Sequence, residues 1–119
     1  MSELEQLDIV KPETFEALLK KQRADDKILL IFVSDWAGPC NVFDESVFKA
    51  SENYGDKCLF IYSDLDMDPT LGIKYDCRAA PSFVLFKGGE LVAAGVGAIT
   101  GRDLWEWITI REQFFDKKV

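Results

Sequence analysis

The chain has 119 residues, 48% of them apolar, and carries a net charge of −7 from 21 acidic and 14 basic side chains. That length supports one hydrophobic core and not two, so residues 1–119 are expected to form a single domain. The acidic balance repels phosphate backbones and excludes nucleic acid as an expected partner, while the absence of histidine removes Cys₂His₂ zinc sites and every Ser-His or Cys-His nucleophile pair. Residues 1–8 are polar and acidic, without a basic or apolar leader region, so no signal peptide is expected there. A short strand near 7–10 is one option. Pro12 suits a first helical turn, and Phe15, Leu18 and Leu19 give that helix an apolar stripe to about residue 22. A charged turn at 23–27 leads into 28–33, an unbroken apolar run that reads as a central strand buried on both faces and is far too short to span a membrane.

Pro39 opens a second helix, with Val42, Phe43, Val47 and Phe48 expected on its inner side. Residues 58–64 read as a second buried strand and 69–75 as a short helix or turn. Strands at 82–87 and 91–96 are joined by Gly88-Gly89, a strong hairpin signal. A last helix starts at Thr100 and runs through Leu104, Trp107 and Ile108 to about Phe115. This alternation predicts a three-layer α/β sandwich around a mixed sheet of four to five strands.

Three cysteines, Cys40, Cys58 and Cys77, are too few and too scattered for a secreted disulfide framework, so a reducing, cytoplasmic setting is the simplest expectation. Cys58 on an apolar strand reads as core. Cys77 reads as core filler, with a regulatory thiol as the alternative. The acidic stretch Asp64-Leu65-Asp66-Met67-Asp68 lacks the glycine and terminal glutamate of a calcium loop and reads as a solvated loop.

The segment Trp36-Ala37-Gly38-Pro39-Cys40, placed after a buried strand and opening a helix, resembles the active-site turn of the thioredoxin family. Further along, Ala80-Pro81-Ser82-Phe83 resembles the family's cis-proline segment, and Phe86-Lys87-Gly88-Gly89-Glu90 its hairpin. Val96-Gly97-Ala98 resembles the end of its substrate groove, and Asp64-Leu65-Asp66 the end of its third strand. These features occur in family order between about residues 28 and 108. The resemblance implies a thioredoxin fold and thiol–disulfide exchange on protein substrates. It also implies that no cofactor is needed, since reducing equivalents would come from a reductase protein or a small thiol.

In such exchange a thiolate at a helix amino terminus attacks a disulfide, and a second cysteine one turn inward resolves the mixed disulfide. The resemblance makes position 37, which holds Ala37, the attacking site and Cys40 the resolving thiol. The resemblance would place a buried carboxylate six residues before position 37, where Ile31 stands, and a buried lysine where Tyr62 stands. Glu45 replaces the proline that kinks the second helix. Two readings of Ala37 remain open. It is a natural departure in a domain that kept the groove for binding, or it is an introduced substitution that disarms a Trp-Cys-Gly-Pro-Cys site. For Cys40, a reactive or glutathionylated thiol stands against a sluggish one beneath Pro39 and Pro81. The missing carboxylate and lysine favour the second.

The resemblance makes Ala80-Pro81 a cis peptide beside the Cys40 turn, leaving the Ala80 backbone to pair with an extended substrate segment. Trp36, Gly38, Pro39, Ala80, Pro81, Gly97 and Ala98 would then form one apolar patch for protein partners. On the last helix, Trp105 points away from the core stripe, and Phe114 and Phe115 prolong the helix. That end reads either as a helix packed on the first helix or as an added partner or dimer surface. A monomer is expected, with a weak dimer as the alternative. A redox-inactive binding, chaperone-like or adaptor module is the alternative to the oxidoreductase.

Overall fold

The computed structural model describes residues 4–34, 39–99 and 101–117, and gives the backbone alone at 39–42, 101 and 114–117. Its elements run α1 (Pro12–Lys20), β1 (Lys27–Val33), α2 (Pro39–Tyr54), β2 (Leu59–Asp64), α3 (Thr70–Lys74), β3 (Ser82–Lys87), β4 (Glu90–Val96) and α4 (Gly101–Lys117). The strands form one mixed four-stranded sheet in the order β2-β1-β3-β4. β1 is parallel to β2 and antiparallel to β3, which in turn pairs antiparallel with β4. A parallel neighbour needs a crossover, which α2 supplies, while β3 and β4 need only a tight turn. Gly88 and Gly89 make that turn with φ of +60° and +81°. A Cβ at Gly89 would stand 2.7 Å from the Leu19 carbonyl oxygen, so glycine is required there for space as well as for conformation.

β1 explains why the core has two halves. Successive strand side chains point to opposite faces. Leu29 and Ile31 enter a cluster with Phe43, Val47, Phe83, Leu104 and Ile108, whereas Ile28, Leu30 and Phe32 enter another with Phe15, Leu71 and Val84. These five of the seven β1 residues are 1% exposed or less, each burial contributing about 1.5–3 kcal/mol. The helices α2 and α4 therefore cover one face, and α1 with α3 the other, which is the three-layer sandwich expected from the sequence.

Several expectations need correction. Phe48 is 50% exposed on the outer side of α2, because the inner stripe is completed by Phe43, Val47 and Ala50; the Val42 side chain lies outside the described residues. α1 stops at Lys20, where the Lys21 N–H donates to the Leu18 carbonyl and the Gln22 N–H to the Leu19 carbonyl. The segment at 7–10 is shorter than a full strand, a single parallel bridge from Ile9 to Tyr62 in which the Leu7 and Val10 N–H groups donate to the Phe60 and Tyr62 carbonyls and the Tyr62 N–H to that of Asp8. It is nevertheless held at the β2 edge, since the Gln6 amide bonds the Gly55 and Cys58 carbonyls and accepts the Phe60 N–H at 2.7 Å. α4 packs on α2, not on α1, which lies across the sheet. The far half of α4 is tied to the sheet by Glu112, whose Oε1 lies 3.1 Å from Lys27 Nζ and 3.3 Å from Lys87 Nζ.

Candidate functional site

The strand register brings the motif-bearing segments together. Phe32 pairs with Ser82, so the chain leaving β1 toward Trp36 and the chain arriving through Pro81 lie on adjacent strands at one end of the sheet. The Ala80-Pro81 peptide is cis. Pro81 is buried and Ala80 half-buried. The Ser82 hydroxyl donates to the Ala79 carbonyl at 2.7 Å and closes the turn that presents them. Beyond the last ladder pair, Ser82 with Val96, the Gly97 N–H donates to the Pro81 carbonyl at 2.8 Å. Gly97 adopts φ +93° with nothing within 4 Å of where a Cβ would stand, and Ala98 is exposed beside it. Ala80, Pro81, Gly97 and Ala98 are thus brought to one end of the sheet, with Ala98 exposed, Ala80 and Gly97 half-buried and Pro81 buried. Trp36, Ala37 and Gly38 lie outside the described residues. Pro39 and Cys40 begin α2, and their side chains also lie outside what is described.

Ile31 and Tyr62 are cross-strand partners in the β1–β2 ladder. Ile31 is fully buried among Leu29, Phe43 and Phe83. The positions where the resemblance would put a proton acceptor and a lysine are thus adjacent, and hold an alkyl and a phenol group. Glu45 is exposed and pairs with Lys49 at 3.2 Å, and α2 runs without interruption from Pro39 to Tyr54.

The described thiols are not built for attack. Burial pushes Cys58 up to about 12, only partly opposed by the nearby Lys27 ammonium. Burial also raises Cys77, which lies 6% exposed under the turn before Pro81. Both are protonated, unreactive core thiols at neutral pH.

No sequence motif marks the contact between Ser34 and Asp66. The Ser34 hydroxyl stands 3.0 Å from both carboxylate oxygens of Asp66, tying the residue after β1 to the loop after β2. Asp64 Oδ1 accepts the N–H groups of Asp66 and Met67 at 2.9 and 3.3 Å, and Asp68 accepts from the Thr70 hydroxyl at 2.6 Å. The acidic stretch therefore makes turns with its own backbone. Among the described residues no group of three or more Cys, Asp or Glu side chains is placed to hold a metal ion. No described helix is long and apolar enough to cross a membrane. Trp105 is half-buried and stacks flat on Tyr54, with centroids 4.0 Å apart and planes within 1°. Phe114 and Phe115 have side chains outside the described residues.

Comparison with known proteins agrees with this arrangement. The family model described as Thioredoxin matches residues 6–110. The chain is 44% identical over 72 residues to Thioredoxin AMT13 of Alternaria alternata, covering 59% of this chain and 60% of that protein. It is 29% identical over 86 residues to a thioredoxin of Rhodospirillum rubrum, covering 72% of this chain and 83% of that one. It is 33% identical to chloroplastic Thioredoxin Y1 of Arabidopsis thaliana over 77% of this chain, spanning about half of that longer protein (52%). In three dimensions it is similar to Fasciola hepatica thioredoxin, with a TM-score of 0.79 and 25% identity over 89% of this chain and 99% of that one.

Proposed function

The chain belongs to the thioredoxin family, and from that membership we propose that it is a protein disulfide oxidoreductase disarmed in this sequence at position 37. The observation that carries the reading is the position of the Ala80-Pro81 segment, bridged by the Gly97 N–H and set on the strand next to the one that leads into Trp36-Ala37-Gly38-Pro39-Cys40. A protein substrate would lie extended along Ala80, Pro81, Gly97 and Ala98, its backbone pairing with that of Ala80. Trp36, Gly38 and Pro39 would shape the turn against it.

With a cysteine at position 37, its thiolate would attack one sulfur of the substrate disulfide, forming a mixed disulfide and releasing the other sulfur as a thiolate. Cys40, deprotonated, would then attack the position-37 sulfur. That step releases the second substrate thiolate and leaves a disulfide between positions 37 and 40. A reductase protein or a small thiol would reduce that bond. Ala37 removes the first step and the closing disulfide, so this chain can seat a substrate and cannot turn it over. A reducing, cytoplasmic setting belongs to the proposal, supported by Cys58 and Cys77 standing as free thiols.

The buried Ile31 beside Tyr62 favours a second reading, a redox-inactive module that grips extended segments with the same groove. One experiment separates the two. Ala37→Cys and the unchanged chain are assayed for reduction of a generic protein disulfide, with folding followed by circular dichroism. Turnover by the Ala37→Cys chain alone supports the oxidoreductase. No turnover by either folded chain means that the missing carboxylate and lysine are decisive, and the binding module replaces it.

A further inference from the structure

A cavity of about 330 Å³ opens beside the exposed Met67 and is lined by Ile9, Val10, Lys11, Asp64, Met67 and Asp68. We infer that it is a second subsite for the protein partner, taking an aliphatic side chain that neighbours a lysine or arginine. The inference rests on the reading that a partner lies extended across this end of the molecule.

Asp64 pairs with Val33, one step along from the Phe32–Ser82 pair that leads to Pro81. In the strand order β2-β1-β3, the cavity edge is therefore two strand spacings, about 10 Å, from the Pro81 segment. A few extended residues, each rising ~3.3 Å, cover that distance. The Ser34–Asp66 contact holds the loop that forms the cavity wall against the end of β1, so the wall and the candidate site are joined.

Ile9 is 57% and Met67 74% exposed, an apolar pair that water solvates poorly and a side chain could cover. Methionine is a pliable contact surface for aliphatic groups. The charge on the lining is two aspartates against one lysine. Asp68 is held below the usual carboxylate range by the hydrogen bonds it accepts from Thr70, so it stays ionised at neutral pH. A cationic neighbour on the partner is attracted, whereas a second copy of a chain of charge −7 is repelled.

The test is a titration of the full isotope-labelled chain followed by amide chemical shifts. The probe is a short cysteine-free peptide with a leucine between two lysines; the same peptide with glutamates in place of the lysines is the control. Expected are saturable shifts at residues 9–11 and 64–68 with the lysine peptide and none with the glutamate peptide. Added salt should weaken binding. Met67→Lys, at an exposed side chain whose change leaves the core intact, should weaken it at least about tenfold, or ~1.4 kcal/mol. Shifts confined to 80, 82 and 96–98, equal binding of both peptides, or an unchanged affinity of Met67→Lys would overturn the inference. So would shifts at 9–11 and 64–68 on concentrating the protein without peptide, which would assign the cavity to a second copy. This readout is independent of Ala37→Cys turnover. Failure of turnover with the expected shifts removes the oxidoreductase reading alone, and turnover without those shifts removes the subsite alone.

Discussion

Replacing Glu112 with alanine tests the packing of α4 most directly. Its Oε1 lies 3.1 Å from Lys27 Nζ and 3.3 Å from Lys87 Nζ, and the side chains are 21%, 14% and 8% exposed. At an effective dielectric constant of ~20, each contact carries a gross attraction of roughly 5 kcal/mol, most of it offset by desolvation. The consequence of breaking the cluster is larger than the worth of forming it, because two poorly hydrated ammonium groups lose their shared carboxylate. Breaking a buried pair from one side costs ~3–5 kcal/mol, and the partial exposure of Glu112 trims that to about 2–4 kcal/mol. Urea unfolding followed by tryptophan fluorescence should show this loss at an unchanged denaturant slope, with a melting temperature lower by roughly 6–16 °C. Glu45→Ala is the internal control. It breaks a contact of similar length, 3.2 Å to Lys49, between side chains 71% and 64% exposed, and should cost no more than ~0.5 kcal/mol. Adding Lys27→Met and Lys87→Met to Glu112→Ala should recover part of the loss, since both ammonium groups that shared the carboxylate are then replaced by apolar side chains. If Glu112→Ala were no more destabilising than Glu45→Ala, the reasoning would be refuted.

Other consequences are equally checkable. Gly95→Ala places a Cβ 2.5 Å from Cε2 and Cζ of the buried Phe83 ring, and should cost about 1–3 kcal/mol in the same urea assay. Gly97→Ala meets no atom within 4 Å but must hold φ +93°, so its cost is conformational, about 1–2 kcal/mol, and a neutral result would refute that. Mass-spectrometric mapping of thiol alkylation should find Cys58 and Cys77 protected in the native chain and labelled in denaturant; fast native labelling would contradict their burial. Because Cys58 is raised from 9.0 to about 12, its contribution to stability is complete below pH 9 and lost as pH rises from 9 to 12, where the unfolded thiol ionises first. Cys58→Val should flatten that alkaline loss. Thr70→Ala should move the Asp68 carboxyl upward toward its ordinary value in an NMR titration, since the hydroxyl and N–H of Thr70 are what lower it, and an unmoved titration would show the backbone N–H to suffice.

The local chemistry of the sequence determined a good deal by itself. The unbroken apolar run of β1 required burial on both faces. Gly88-Gly89 fixed the hairpin, and Pro12 and Pro39 fixed two helix starts, because these signals act within a turn or a strand. Ala37, Ile31 and Tyr62 stated in sequence which groups a disulfide reductase would lack.

What the sequence left open depended on which elements meet. Phe48 fits the apolar period of α2 as well as Val47 does, and only the docking of α4 and the sheet decides that Val47 is buried and Phe48 is exposed. The last helix carries no mark of its partner, and the sheet's two faces send it to α2 and away from α1. The Glu112 cluster joins residues from β1, β3 and α4, and the Met67 cavity joins the 9–11 segment to the loop after β2, so no window of sequence contains either. The adjacency of the Pro81 segment to the end of β1 is likewise a property of strand register. Short-range signals specify elements, and the contacts that build a site are made by residues distant in the chain, so their geometry exists only once the layers have packed.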